Sequence, residues 1–213
     1  MTDKLSGEKH LIYIYPKNAA KEPDALLASC GEAFLRRRSA EALAPLAADF
    51  FRVERPPRQK PFFPEAADIH FSVSHAGDYW ACAFSRTPVG LDLERLRPCR
   101  PGIARRFFHP EEAAWLDAWP AEEFFSVWTA KESCVKYWGC GIDESFSHFS
   151  VIKEGRLAGV VDPPAAAGTR KGKSPFLPAA RCIHIPFRQD YRLCLCVPAA
   201  AAEAYEVIFC ALP

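Results

Sequence analysis

The order of elements along the chain predicts an α+β fold built as two similar halves, residues 1–98 and 99–213, with a ligand cleft between them. Two observations carry that expectation. Short alternating or β-branched runs fall in two blocks, each with helical periodicity beside it. Between the blocks, Arg95 to Gly102 holds two prolines and a glycine, the composition of a boundary or crossover.

The first half opens with HLIYIY, His10 to Tyr15, which reads as a strand ended by Pro16. Pro23 to Arg38 has helical spacing, with Leu26, Leu27, Cys30, Phe34 and Leu35 on its buried side. Ser39 is placed to cap a second helix, Ala40 to Phe50. Arg52 to Pro64 is rich in proline and basic residues and is expected to run as an extended loop. Ile69 to Ser74, Tyr79 to Ser85 and Val89 to Glu94 are strands separated by tight turns, which predicts an antiparallel meander.

In the second half, Ile103 to Phe108 and Pro110 to Trp119 read as short helices. Pro110 suits a first turn, and Glu111 and Glu112 suit the positive end of the helix. A longer helix, Ala121 to Trp138, stops at Gly139. Strands return at Phe149 to Glu154, Leu157 to Val161, Arg181 to Phe187, Tyr191 to Val197 and Ala204 to Cys210. Asp162 to Pro178 is a loop rich in Gly, Pro and Lys.

Composition narrows the function. The 27 basic and 26 acidic residues nearly cancel, which argues against a general binder of nucleic acid or membrane surface. The opening MTDKLSGEKH lacks the basic-then-apolar pattern of a secretion signal, and no apolar run is long enough to span a bilayer. Nine scattered cysteines form no Cys-x-x-Cys pair and read as reduced thiols, so a cytoplasmic location is expected.

Three places could carry chemistry. In the helix ending at Trp138, Lys131 falls inside the apolar arc, Glu132 near its edge and Lys136 just beyond. Charge in an apolar arc needs a partner. The spacing of Glu132 and Lys136 fits either a structural i, i+4 salt bridge or a site. Asp92 and Glu94 share one face of a strand, where like charges repel unless a cation lies between them. Hard oxygen ligands select Mg²⁺, although a lone D-x-E also occurs as a solvated strand end. Gly90 just before them permits close backbone approach. Ser74-His75 sits at a strand-to-turn junction, where hydroxyl, ring and backbone donors either gather an anion or merely close the turn. Lys60-Pro61, in the extended loop upstream, adds a basic side chain able to meet a phosphate.

Taken in order, KPF, HFSVSHAGDYWACAF, VGLDLE, ARRFF and FFSVWTAKESCVKYWGCGI closely resemble the 4'-phosphopantetheinyl transferases, specifically the larger single-chain Sfp type. That family carries G-[IV]-D-x-E on a strand and W-x-x-K-E-[AS]-x-x-K on a helix roughly forty residues later, a pairing more specific than either motif alone. The resemblance runs from Lys60 to Ile142 and continues weakly to the C-terminus.

The resemblance implies a pseudo-twofold pair of α+β halves that bind coenzyme A between them. It implies transfer of the phosphopantetheine arm to a serine of an acyl or peptidyl carrier protein, leaving adenosine 3',5'-bisphosphate. By position, Asp92, Glu94 and Glu132 would hold Mg²⁺, and Lys136 would contact phosphate. Ser74 and His75 would bind phosphate oxygens, with Lys60 and Pro61 bordering the adenine or its 3'-phosphate. Glu132 would be the general base, and Lys131 would touch phosphate or orient Glu132. The two-halves-in-one-chain pattern favours a monomer. One departure stands out: residues 24–30 carry no arginine where the family usually does, leaving Lys17, Lys21 or Arg36 to Arg38 for the nucleotide end. Two other classes compete. A binding module without chemistry would be favoured by loss of Asp92, Glu94, Glu132 or Lys136, all of which are present. A Mg²⁺-dependent nuclease or phosphodiesterase would want a basic face that the charge balance does not support.

Overall fold

The computed structural model describes residues 9–38, 46–47, 49–57, 59–99, 102–140, 144–164, 178–201 and 204–210. Helices and strands alternate irregularly, giving a mixed α+β architecture with several sheets. β1 (His10–Pro16) leads to α1 (Pro23–Arg38), then β2 (His70–Ala76), β3 (Tyr79–Ser85) and β4 (Gly90–Arg95). Three helices follow, α2 (Ile103–Phe107), α3 (Pro110–Asp117) and α4 (Glu123–Trp138). The last part is β-rich: β5 (Ile152–Lys153), β6 (Arg156–Leu157), β7 (Val160–Val161), β8 (Ala180–His184), β9 (Tyr191–Pro198) and β10 (Tyr205–Phe209).

Most of the helix expected over Ala40 to Phe50 lies outside the described residues; 46, 47, 49 and 50 are described and are not helical. Residues 165–177 of the expected Gly/Pro/Lys loop also lie outside them. No described helix is long and apolar enough to cross a membrane.

Two four-stranded sheets form, in the orders β10-β1-β3-β2 and β4-β9-β8-β7. The hairpin of β2 and β3 is as expected, turning at Gly77 with φ of 51°. The meander does not continue. β1 occupies the other edge of β3, so β4 leaves that sheet and pairs antiparallel with β9. Each sheet therefore draws strands from both sides of residue 98, since β10 also returns to pair in parallel with β1.

The strand alternation sorts side chains into layers. Ile12, Ile14, Ala81 and Ala83 of the first sheet pack against Leu91, Leu93, Leu193 and Leu195 of the second. On its other face the first sheet packs Leu11, Phe71 and Phe84 against Leu27, Cys30 and Phe34 of α1. The outer face of the second sheet carries α4, which lies across β4, β8 and β9.

Beside their shared face, the sheets meet along β2 and β4, where side chains replace a backbone ladder. Ser72 Oγ accepts from Leu91 N at 2.9 Å, and Ser74 Oγ accepts from Leu93 N at 3.1 Å. On the same edge of β4, Lys136 Nζ donates to Leu91 O at 3.0 Å and Lys60 Nζ donates to Val89 O. A strand edge that would otherwise be unsatisfied is thereby paired.

Gly90 fixes how closely α4 approaches. A Cβ there would lie 1.9 Å from Ser133 O and 2.6 Å from Tyr137 N, both backbone atoms. Gly90→Ala is therefore expected to cost about 3 kcal/mol of unfolding free energy. Chemical denaturation measures this, and an unchanged midpoint would show that α4 does not rest on β4 at that residue.

Candidate active site

The alternation of β4 decides what reaches α4. Val89, Leu91 and Leu93 enter the core between the sheets, so Gly90, Asp92 and Glu94 point the other way. Helix spacing on α4 aims Glu132 and Lys136 at the same place, one turn apart. With Ser74 and His75 from the end of β2, these side chains line a pocket of about 410 Å³, completed by Val73, Leu93 and Trp128.

Asp92 is the pivot. Its Oδ1 accepts from Ser74 Oγ at 2.8 Å and from Lys136 Nζ at 2.7 Å. Its Oδ2 is buried and has no hydrogen-bond partner among the described residues. Burial raises the affinity of Asp92 for a proton, and Lys136 and Ser74 oppose it. Glu132 is raised as well. Burial first, then repulsion by Asp92, push its carboxyl up to about 7, with Lys136 acting in the opposite direction. Glu94 completes the acidic side, and Arg97 holds one of its oxygens at 2.6 Å. Lys136 thus pairs with Asp92 across the two elements, not with Glu132 one turn before it.

The donor set is all oxygen, the kind that a hard divalent ion such as Mg²⁺ takes. The unpartnered Asp92 Oδ2 and the raised Glu132 both mark a place where added positive charge is stabilising. The residues present therefore fit such an ion. The carboxylates are not yet closed around a point: among the described residues, the one group of three ligand atoms within 4.8 Å of each other is a set of thiols.

Other residues singled out by the sequence lie elsewhere. Lys60 and Pro61 do not line the pocket; Lys60 binds Val89 O one step along the same strand edge. Burial lowers its pKa to about 8, and the nearby charge of Lys136 adds to that. Arg36 and Arg37 are held by Glu32 and Glu206.

Lys131 faces away from the pocket, so the expected contact with phosphate or Glu132 does not match its position. It is fully buried. Its Nζ donates to Glu112 Oε1 at 2.9 Å and to Phe149 O at 2.6 Å, and lies 3.9 Å from the Phe149 ring centroid. Glu112 also accepts from Val151 N at 2.7 Å and His109 N at 2.9 Å, closing a capping box on α3. Sequence reading gave Glu112 a helix-terminus preference and missed this role; no local signal marks a partner 19 residues away.

Fold and pocket together describe a mixed α+β protein with an oxygen-lined, lysine-bordered pocket. The profile of the 4'-phosphopantetheinyl transferase superfamily matches residues 88–196, the stretch from just before β4 into β9. The chain is 31% identical over 209 residues to the 4'-phosphopantetheinyl transferase psf-1 of Bacillus pumilus, covering 92% of this chain and 84% of that one. It is 32% identical over 158 residues to the 4'-phosphopantetheinyl transferase gsp of Aneurinibacillus migulanus, 72% of this chain and 64% of the other. With the 4'-phosphopantetheinyl transferase Sfp of Bacillus subtilis it shares 38% identity over 96 residues, 43% of each chain, so that match spans less than half of that relative's length. The chain belongs to the 4'-phosphopantetheinyl transferase superfamily.

Two measurements test the electrostatics. Breaking the buried pair with Lys131→Met should cost about 3–5 kcal/mol, and adding Glu112→Leu should recover part of it. Equal urea midpoints for wild type and Lys131→Met would remove the pair from the structure's support. For Lys60 the sign follows from its lowered pKa. The unfolded chain holds the proton up to about 10.4, whereas the folded chain releases it near 8. Between those values the unfolded state binds more protons, so stability rises with pH. Relative to Lys60→Met, the wild type should gain on the order of 1–3 kcal/mol across that window and stay level below it. A constant difference across pH would contradict the burial of a charged Lys60.

Proposed function

We propose that this protein transfers the 4'-phosphopantetheine arm of coenzyme A to a serine hydroxyl of an acyl or peptidyl carrier protein, with Mg²⁺, releasing adenosine 3',5'-bisphosphate. The observation that carries this reading is the meeting of Asp92 and Lys136, on a motif strand and a motif helix, with an unpartnered buried Asp92 oxygen beside Glu132. Membership of the superfamily supplies the substrate class.

In the reaction, a bond forms between the carrier serine oxygen and the β-phosphorus of coenzyme A. The bond from that phosphorus to the leaving nucleotide oxygen breaks, and the serine proton is lost. Such a step needs charge neutralisation and alignment more than covalent help. Asp92, Glu94 and Glu132 would hold Mg²⁺, which when bound neutralises charge on the pyrophosphate. Lys136 contributes a compact cation at the phosphates, at the cost of sharing its contact with Asp92. Ser74 and His75, which line the same pocket, would receive phosphate oxygens. Lys60 and Pro61 border the nucleotide end. Glu132 accepts the serine proton, a role suited to a carboxyl whose proton affinity its surroundings raise.

The same reading takes the chain as a cytoplasmic monomer of two pseudo-twofold halves, 1–98 and 99–213, with coenzyme A bound between them and with no nucleic-acid or membrane partner. Two sheets of equal strand number, nine scattered cysteines with no Cys-x-x-Cys pair and a near-zero net charge support it. The halves exchange strands, β4 one way and β10 the other.

Intact-mass spectrometry of an apo carrier protein incubated with the protein, coenzyme A and Mg²⁺ tests the proposal. The carrier should gain one phosphopantetheine arm, and chelation by EDTA should prevent it. Asp92→Ala should raise the Mg²⁺ needed for half-maximal rate at least tenfold, and Glu132→Gln should lower turnover by about 10²-fold or more with the fold retained. No mass gain on fatty-acid, polyketide or peptide carriers would instead favour a binding module without chemistry.

A further inference from the structure

Beneath α4, on the side away from the pocket, thiols from three elements converge. Cys134 comes from α4, Cys182 from β8 and Cys196 from β9. Their sulfurs all lie within 4.8 Å of one another. Cys134 Sγ is 3.3 Å from Cys182 Sγ and 3.8 Å from Cys196 Sγ. Strand register accounts for half of this, because Cys182 stands directly opposite Cys196 in the β8–β9 ladder. Cys194, two residues before Cys196 and on the same face of β9, accepts from Ser133 Oγ at 3.3 Å. All four are buried, between 0% and 7% exposed.

Packing alone asks only for small apolar side chains at these positions, and alanine or valine would supply them. Sulfur adds the ability to bind a soft cation. In a tetrahedral zinc–thiolate site, bonds of about 2.3 Å set the sulfurs about 3.8 Å apart. The separations here, from 3.3 Å to within 4.8 Å, bracket that value.

We propose that Cys134, Cys182 and Cys196 bind one thiophilic cation of the Zn²⁺ type, separate from the carboxylate pocket. Binding replaces each S–H bond by a metal–sulfur bond and releases the protons to solvent. No electron is transferred. Ligand type sorts the two sites: thiolates reject Mg²⁺, and the oxygen pocket prefers it. Because the sulfurs are sealed from water, the ion enters as the chain folds. It then ties the helix carrying Glu132 and Lys136 to two strands of the sheet below.

The test uses the full chain, expressed in medium containing Co²⁺ and purified under anaerobic, reducing conditions with excess Mg²⁺. Metal analysis should find about one zinc or cobalt ion per chain after desalting, and the cobalt fraction should show a sulfur-to-metal charge-transfer band in the near ultraviolet. Cobalt on carboxylates gives no such band, so the two sites are told apart. Cys182→Ser and Cys196→Ala should each lower retention at least tenfold with the circular dichroism unchanged, whereas Cys30→Ser should leave it intact. Should neither cluster variant fold, the wild-type spectrum alone decides. A wild type with no charge-transfer band, or a band that survives both cluster substitutions, would overturn the proposal and leave the three thiols as core packing.

Discussion

The outer edge of β4 is the constraint on which the rest of the structure depends. β9 satisfies one side of this strand, and among the described residues no strand pairs with the other side. The N–H groups of Leu91 and Leu93 go to two serine hydroxyls of β2, and the carbonyls of Leu91 and of Val89, just before the strand, go to two lysine ammonium groups. An edge paired by backbone would be sealed. Paired by side chains, it stays open enough to place a hydroxyl and an ammonium beside Asp92, within hydrogen-bond reach. Two of the groups that complete the strand, Ser74 and Lys136, therefore also furnish the pocket.

That economy has an electrostatic side. Asp92 and Glu132 are both buried, both acidic and close enough to repel, and Lys136 is the cation that reaches Asp92. The pocket is held together at some cost to the folded chain, as sites that must receive charge commonly are. By contrast, the second buried ion pair is complete. Lys131 and Glu112 satisfy each other and the backbone around them, with three aromatic rings over the ammonium. The two adjacent residues Lys131 and Glu132 thus have opposite characters, one neutralised and sealed, the other raised and waiting for a counter-charge.

Much of this was legible in the residues, for reasons of range. Helix geometry is local, so the apolar arc over Ala121 to Trp138 already ranked its charges: Lys131 is 0% exposed, Glu132 8% and the Lys136 side chain 28%. Strand alternation is local too, and it put Asp92 and Glu94 on one face with Gly90 at the point of closest approach. Partner choice is not local. Nothing in VGLDLE says that β4 pairs with a strand 100 residues later instead of with its hairpin neighbour, and so the expected meander fails there. Lys131 illustrates the same limit. Its place on the helix was right, but whether it turned to a ligand or to Glu112 depended on a helix and a loop elsewhere in the chain.

The Lys131 anchor also acts as a key in a keyway. Consecutive residues on a helix stand about 100° apart, so fixing one side chain among Glu112, Phe149 and the surrounding rings sets the rotation of the whole cylinder. Glu132 and Lys136 inherit their bearing from that setting, without contacting it. The aim of the acidic pocket is thereby uncoupled from its own repelling charges: whatever the charge within the pocket, the helix that carries Glu132 and Lys136 keeps its angle.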